Sequence, residues 1–175
     1  DQTPSIQSIF IAGYWRVPLM GKSYDNNNFL IMDEMTENLS PKENIRVFGR
    51  GLRRSLERFP DRSVNMIEDV PEVGSSFGKE VANHFLRAVW LDSDLNPKQW
   101  VLKDSFDNYD YVLQKIREPL PKLQWISVKD RLCQSESCPL YQNGNLLYAD
   151  GDHLSHAGAM RLKQKFKKIL NDQIQ

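Results

Sequence analysis

Two of the chain's three histidines, His153 and His156, fall in the stretch YADGDHLSHAGAMRL between Tyr148 and Leu162, beside Asp150 and Asp152. A carboxylate three residues ahead of a histidine, with a glycine between them, can fold back onto the imidazole Nδ1–H. It then fixes the tautomer and stabilises the imidazolium, and Nε2 stays free to take a proton from a hydroxyl. Asp150 and His153 therefore read as the orienter and base of a nucleophilic triad. Asp152 is expected to point elsewhere and to cap the turn or the following helix. A metal site built from Asp150, Asp152, His153 and His156 competes with this reading, but a cation would want ligands from other segments as well. A bare Asp-x-x-His is common in glycine-containing turns. His156, in the first turn of a helix, reads as solvated, and His84 as a packing or surface residue.

The whole chain sets the bounds. Its 175 residues suit one domain with a real core. Acids and bases balance at 23 each, so nothing draws the chain toward nucleic acid or an anionic membrane surface. With 40% apolar and 26% charged residues the composition is that of a globular protein, and no apolar run approaches the ~20 residues of a membrane span. The opening DQTPSIQSIF has neither a Met nor a basic leader, so the chain reads as part of something longer. Cys133 and Cys138 are spaced too widely for the redox C-x-x-C and lack companions for a zinc site. They form either a small disulfide ring in an oxidising compartment or two thiols in a reducing one. Such a ring would contribute roughly 2 kcal/mol, enough to pin one loop.

Strands alternate with helices along the chain. SIQSIFIAGYW (5–15), SVNMIEDVPEV (63–73) and LQWISV (123–128) read as strands. Between the first two lie a long polar loop over 16–39 and then a helix. That helix has Ser40 as N-cap, Pro41 at its first position and Glu43 closing a capping box, with Ile45, Phe48, Leu52, Leu56 and Phe59 on one face. A broken helix is expected around 78–90. Another covers 105–120, with Phe106, Tyr109, Val112, Leu113 and Ile116 together. Asn143-Gly144 between apolar runs predicts a hairpin. A last helix turns Ala159, Leu162, Phe166 and Ile169 inward and its lysines outward. The pattern is an α/β layered, largely parallel sheet. The Asp150–His153 turn follows its last strand-like segment, where such sheets place active groups.

The string LCQSESCPLYQNGNLLYADGDHLSHAGAMRL resembles the end of the SGNH/GDSL hydrolase domains fused to bacterial membrane acyltransferases of acyltransferase family 3. SIFIAGYW and VNMIEDVPEV resemble two strands of the same group, and the similarity runs from about Ser5 to Leu170. The resemblance implies a three-layer α/β/α sandwich with a mostly parallel sheet. It implies a catalytic Asp150 and His153, and places Trp15 where the family's oxyanion-hole asparagine is expected, as an oxyanion or substrate-binding residue. It also implies an extracytoplasmic, periplasmic setting, in which Cys133 and Cys138 pair.

One departure stands out: the chain has no G-D-S. Ser23, in MGKSYD, lacks the strand–turn–helix context that presents a nucleophile, and WLDSDL lacks the glycine. The expectation is a single SGNH-like domain over 1–175 without its first strand and nucleophile block, whose serine comes from upstream. The function implied is O-acetyl transfer to a cell-surface polysaccharide, by a Ser-His-Asp site that needs no metal or organic cofactor. Its partners would be an acyl donor, a carbohydrate acceptor and an upstream membrane acyltransferase domain. A stand-alone secreted esterase and a non-catalytic carbohydrate-binding domain, with Tyr14, Trp15 and the 16–39 loop as its surface, are the competing readings.

Overall fold

The structure is a computed structural model of the chain, and it describes residues 6–21, 29–72, 77–79, 81–83, 86, 109–120, 123–134 and 138–174. Two compact units emerge, one from 1–69 with 105–127 and one from 70–104 with 128–175.

The first unit holds the sheet. β1 (Ser8–Ile11), β2 (Ser63–Ile67) and β3 (Leu123–Ile126) pair in the order β1-β2-β3, all parallel. Ile11 stands opposite Met66, and Met66 opposite Trp125. The α/β class with a parallel sheet is as expected; each strand is shorter than its apolar run. β1 stops before the turn at Ala12–Trp15, and β2 stops before Asp69, which bonds elsewhere. Among the described residues β1 has no strand on its outer side.

α2 (Pro41–Glu57) starts where the cap signals place it. Ser40 is extended, and its hydroxyl accepts from Glu43 N–H at 3.1 Å. The other half of the expected capping box is not made. The Glu43 carboxylate turns to Arg46 and Arg50, at 3.1 and 3.3 Å. Ile45, Phe48, Leu52 and Leu56 pack on the core, whereas Phe59 lies beyond the helix end and is exposed. α3 (Tyr109–Arg117) buries Tyr109, Val112, Leu113 and Ile116, the 3.6-residue face read from the sequence. Phe106 falls outside the described residues.

The polar stretch 16–39 is more ordered than its composition implies. α1 (Arg16–Met20) occupies its start and is closed by Gly21. Pro18 looks like a breaker, but it sits in the first turn, where its missing N–H has no intrahelical partner to lose. Leu19 from this helix is fully buried in the core. The segment 29–39 is tied to α2 by side chains. Asn44, fully buried, donates to Pro18 O and Phe29 O at 2.9 and 2.7 Å and accepts from Ile31 N–H at 3.1 Å. Arg50 forks onto both oxygens of Asp33 at 2.8 and 2.7 Å, which holds that carboxyl well below its usual range.

The second unit carries α4 (Lys129–Leu132), a hairpin of β4 (Tyr141–Gln142) and β5 (Asn145–Leu146), and α5 (His156–Ile174). Asn143 and Gly144 both take positive φ, 50° and 82°, as a tight two-residue turn requires. Phe77, Leu140, Leu147 and Tyr148 form its core, with Leu154 and Ala157 against them. α5 sits differently from expectation at its start: Ala159 is exposed and Ala157 and Gly158 face inward, while Leu162 is buried as expected. Lys165 is not on a purely solvated face either, since it pairs with Asp130 of α4 at 2.6 Å. Of the expected helix at 78–90, the described residues show helical runs at 77–79 and 81–83. Among the described residues no helix is long and apolar enough to cross a membrane.

Asn44→Ala should lower stability by about 3 kcal/mol in urea unfolding, because it strands buried backbone groups of Pro18, Phe29 and Ile31 together. Loss below about 1 kcal/mol, the worth of one ordinary hydrogen bond, would show that segment 29–39 does not depend on this residue.

Candidate active site

The turn that carries Asp150 and His153 is built from both sides. The hairpin leads into it, with Leu147 N–H donating to Leu140 O at 2.8 Å. Tyr148 and Leu154 bridge antiparallel across it, and Ala149 N–H donates to His153 O at 2.8 Å. Ser155 then fastens the exit. Its N–H donates to Leu147 O at 3.0 Å, its hydroxyl donates to Leu146 O at 2.6 Å, and the same hydroxyl accepts from Gly158 N–H at 3.1 Å. Gly158 is needed for this closeness: a Cβ there would lie 2.0 Å from Leu147 O.

Within the turn, Asp150 folds back as its spacing predicts. Its Oδ1 accepts the backbone N–H groups of Asp152 and His153 at 3.1 and 2.8 Å. His153 Nδ1 lies 2.9 and 3.0 Å from the two oxygens of Asp150. Asp152 does not point elsewhere, as its expected capping role requires. Its Oδ1 is 3.2 Å from the same nitrogen, so the imidazole faces two carboxylates, with Asp150 the nearer at 2.9 Å.

The electrostatics follow from these contacts. Backbone N–H donors, Asp152's first, and the His153 ring hold Asp150 down at about 2. Partial desolvation and the charge of Asp150 push Asp152 up, against the pull of His153. The hydrogen bond to Asp150 and the charges of both acids raise His153. Both His153 and Asp150 are more than half exposed, so solvent screens these effects. Among the described residues Nε2 has no hydrogen-bond partner. Nδ1 and the two carboxylates also lie within 4.8 Å of one another, close enough to share a cation; the same closeness is that of a hydrogen-bonded acid–imidazole pair.

Cys133, at the end of α4, and Cys138 are joined in a disulfide with Cα atoms 4.0 Å apart. It closes the loop that precedes the hairpin. His156 is exposed on the first turn of α5. Ser23, His84 and the serine of WLDSDL lie outside the described residues.

Trp15, in the other unit, has its indole N–H committed: it donates to Ile67 O at 2.7 Å. Its ring meets Phe48 edge-on, with centroids 5.8 Å apart. In this conformation the N–H is taken up by the protein itself, and the ring packs against the core beside Phe48. The sequence reading missed the group that fixes this turn. Asp69 accepts from Trp15 N–H, Arg16 N–H and the Tyr109 hydroxyl, partners far away in the chain that no local pattern signals.

Comparison with known proteins gives the chain a family. A family model described as "SGNH domain (fused to AT3 domains)" matches residues 1–168. The chain belongs to this family. No curated protein matches its sequence. Among solved structures, this SGNH domain is similar to the periplasmic domain of a lipopolysaccharide acetyltransferase from Salmonella ser. Paratyphi A. That match has 23% identity and a TM-score of 0.54, over 77% of this chain and 50% of that one. It is also similar to a structure described as a platelet activating factor from Streptococcus pneumonia, with 15% identity and a TM-score of 0.52, over 95% of this chain and 60% of that one. At these identities both likenesses show the SGNH-like fold. The chain spans about half of the Salmonella structure's length and three-fifths of the Streptococcus structure's.

Gly158→Ala should destabilise the domain although alanine is the better helix former by about 1 kcal/mol. The clash with Leu147 O forces the hairpin off α5 at a cost of roughly 1–3 kcal/mol, and thermal unfolding should show the net loss; a raised melting temperature would contradict the clash.

His153 should titrate with a midpoint above the ordinary 6.5 in an imidazole NMR experiment, and Asp150→Asn should bring it back down. With the folded value raised, the pair's small stabilisation is full below about 6.5, the unfolded value, and is lost as pH rises through the folded midpoint. For Asp150 it is present above about 3.8, the unfolded value, and is lost as pH falls toward 2.

Proposed function

We propose that this SGNH domain is an extracytoplasmic O-acyltransferase domain, with His153 as general base and acid and Asp150 as its orienter. The observation that carries the reading is the Asp150–His153 pair: a carboxylate on Nδ1 at 2.9 Å, with Nε2 unengaged among the described residues, in a chain of the AT3-fused SGNH family. The nucleophile is a serine from outside residues 1–175, since no G-D-S occurs within them. Support for an added N-terminal strand comes from the outer side of β1, which has no strand beside it among the described residues.

The chemistry runs in two halves. Nε2 takes the serine proton as Oγ attacks the acyl carbonyl, and returns it to the leaving group as the carbon–leaving-group bond breaks. The acyl-serine is then attacked by an acceptor hydroxyl, whose proton passes to Nε2 and back to Oγ. Each half leaves an imidazolium for a moment, and the carboxylates beside Nδ1 stabilise it. Donor and acceptor follow from the family: an acetyl group delivered by a fused membrane acyltransferase domain, and a cell-surface polysaccharide or its lipid-linked precursor. A periplasmic location fits the disulfide and the Salmonella neighbour's description.

In the intact protein, His153→Ala should lower O-acetyl transfer and aryl-acetate hydrolysis by about 10²–10⁴-fold, the range of general acid–base catalysis, with the fold unchanged by circular dichroism. Asp150→Asn should cost more than Asp152→Asn. Full activity in His153→Ala would sink the assignment, and a larger effect at Asp152 would exchange the two acids.

A further inference from the structure

The turn that carries the acid and the base is a small antiparallel hairpin of its own. Ala149 N–H donates to His153 O, Tyr148 bridges to Leu154, and Ser155 N–H donates to Leu147 O. Asp150, Gly151 and Asp152 make its tip, which the bonds from Asp152 N–H and His153 N–H to Asp150 Oδ1 curl back on itself. All of these bonds hold the two arms to each other. The polar link to the helix is a side chain.

Ser155 is the residue before α5, and it stands at the N-cap position. Its carbonyl accepts from Ala159 N–H at 2.9 Å, and its hydroxyl oxygen accepts from Gly158 N–H at 3.1 Å. The same hydroxyl donates its proton to Leu146 O at 2.6 Å. Ser155 therefore holds two consecutive carbonyls of the incoming chain, Leu146 through its side chain and Leu147 through its backbone. Its oxygen holds the first turn of α5 at the same time. Helix capping alone does not require this. An aspartate caps a helix as well as a serine does, but its carboxylate has no proton to give Leu146 O. A hydroxyl serves both sides because one oxygen donates and accepts.

We propose that Ser155 is a positioning residue of the acyl-transfer site: by donating to Leu146 O and accepting from Gly158 N–H, its hydroxyl latches the Asp150–His153 hairpin to the start of α5 and holds the base in one place. This rests on the acyl-transfer reading and adds to it a residue that moves no proton.

The test compares the intact protein with its Ser155→Ala, Ser155→Gly, Ser155→Thr and His153→Ala variants, by hydrolysis of nitrophenyl acetate and by amide hydrogen exchange. Alanine and glycine both remove the latch, but glycine is far better tolerated at an N-cap, so Ser155→Gly separates the latch from helix stability. Both should lower kcat about tenfold with KM within about twofold, the sign of a reacting group held out of place. Both should also speed exchange at Ala149 N–H relative to Leu162 N–H, which reports opening of α5 itself. Ser155→Thr keeps the hydroxyl and should restore both readouts. A lower melting temperature with kcat unchanged would reduce Ser155 to a cap and overturn the proposal. So would a fall in kcat in Ser155→Ala that Ser155→Gly does not share, or a fall in both with Ala149 exchange unchanged. If Ser155→Ala fails to fold, Ser155→Gly decides by kcat and exchange. Loss of turnover in His153→Ala with full kcat in the alanine and glycine variants of Ser155 would overturn this inference alone. Full turnover in His153→Ala would remove the acyl-transfer reading and this inference with it.

Discussion

The sheet-bearing unit depends on a charge that must be fed hydrogen bonds. A carboxylate removed from water is tolerated only where donors replace its hydration. Asp69 finds three, and they come from segments far apart in the chain. Meeting that demand fixes the exit from β1, the start of α1 and the first residue of α3 at once. The apolar packing of Leu19, Met66 and Val112 then fills the space that these contacts define. Buried Asn44 repeats the pattern near the start of α2, where one amide satisfies three backbone groups and turns a polar loop into a fixed one.

The histidine turn follows the opposite logic. Its groups are largely exposed, and they are organised by short-range geometry instead of burial. Asp150 spends one oxygen on two backbone N–H groups and both on the imidazole. The side chain therefore shapes the turn and orients the ring with the same atoms. In water such a pair is weak. In the proposed acyl transfer, it gains strength when substrate and surrounding protein exclude solvent from it.

This contrast explains what the sequence made legible. The Asp150–His153 contact, the Asn143-Gly144 hairpin, the Ser40 cap and the apolar faces of α2 and α3 arise from residues a few positions apart, and spacing reveals them. Asp69 and Asn44 act on partners from 13 to 54 positions away, so nothing local marked them. The stretch 16–39 misled because its polar composition reads as loop, whereas it opens with the short helix α1, which buries Leu19 in the core. Asp152 misled for a subtler reason: in an extended turn it would point away, but the backbone bonds to Asp150 curl the turn and bring it to the ring. The family resemblance came from the C-terminal block, where the local signals are densest.

The clamp of Ser155 and Gly158 on the hairpin has a consequence for how the molecule matures. Every contact that places the acid beside the base joins residues between Leu140 and Gly158. The three parallel strands, in contrast, must find partners across long intervening segments, the slow kind of search. A newly made chain can therefore close its aspartate–histidine turn early, as a local event. The sheet assembles later, so completion of the fold is timed by the strands and not by this turn.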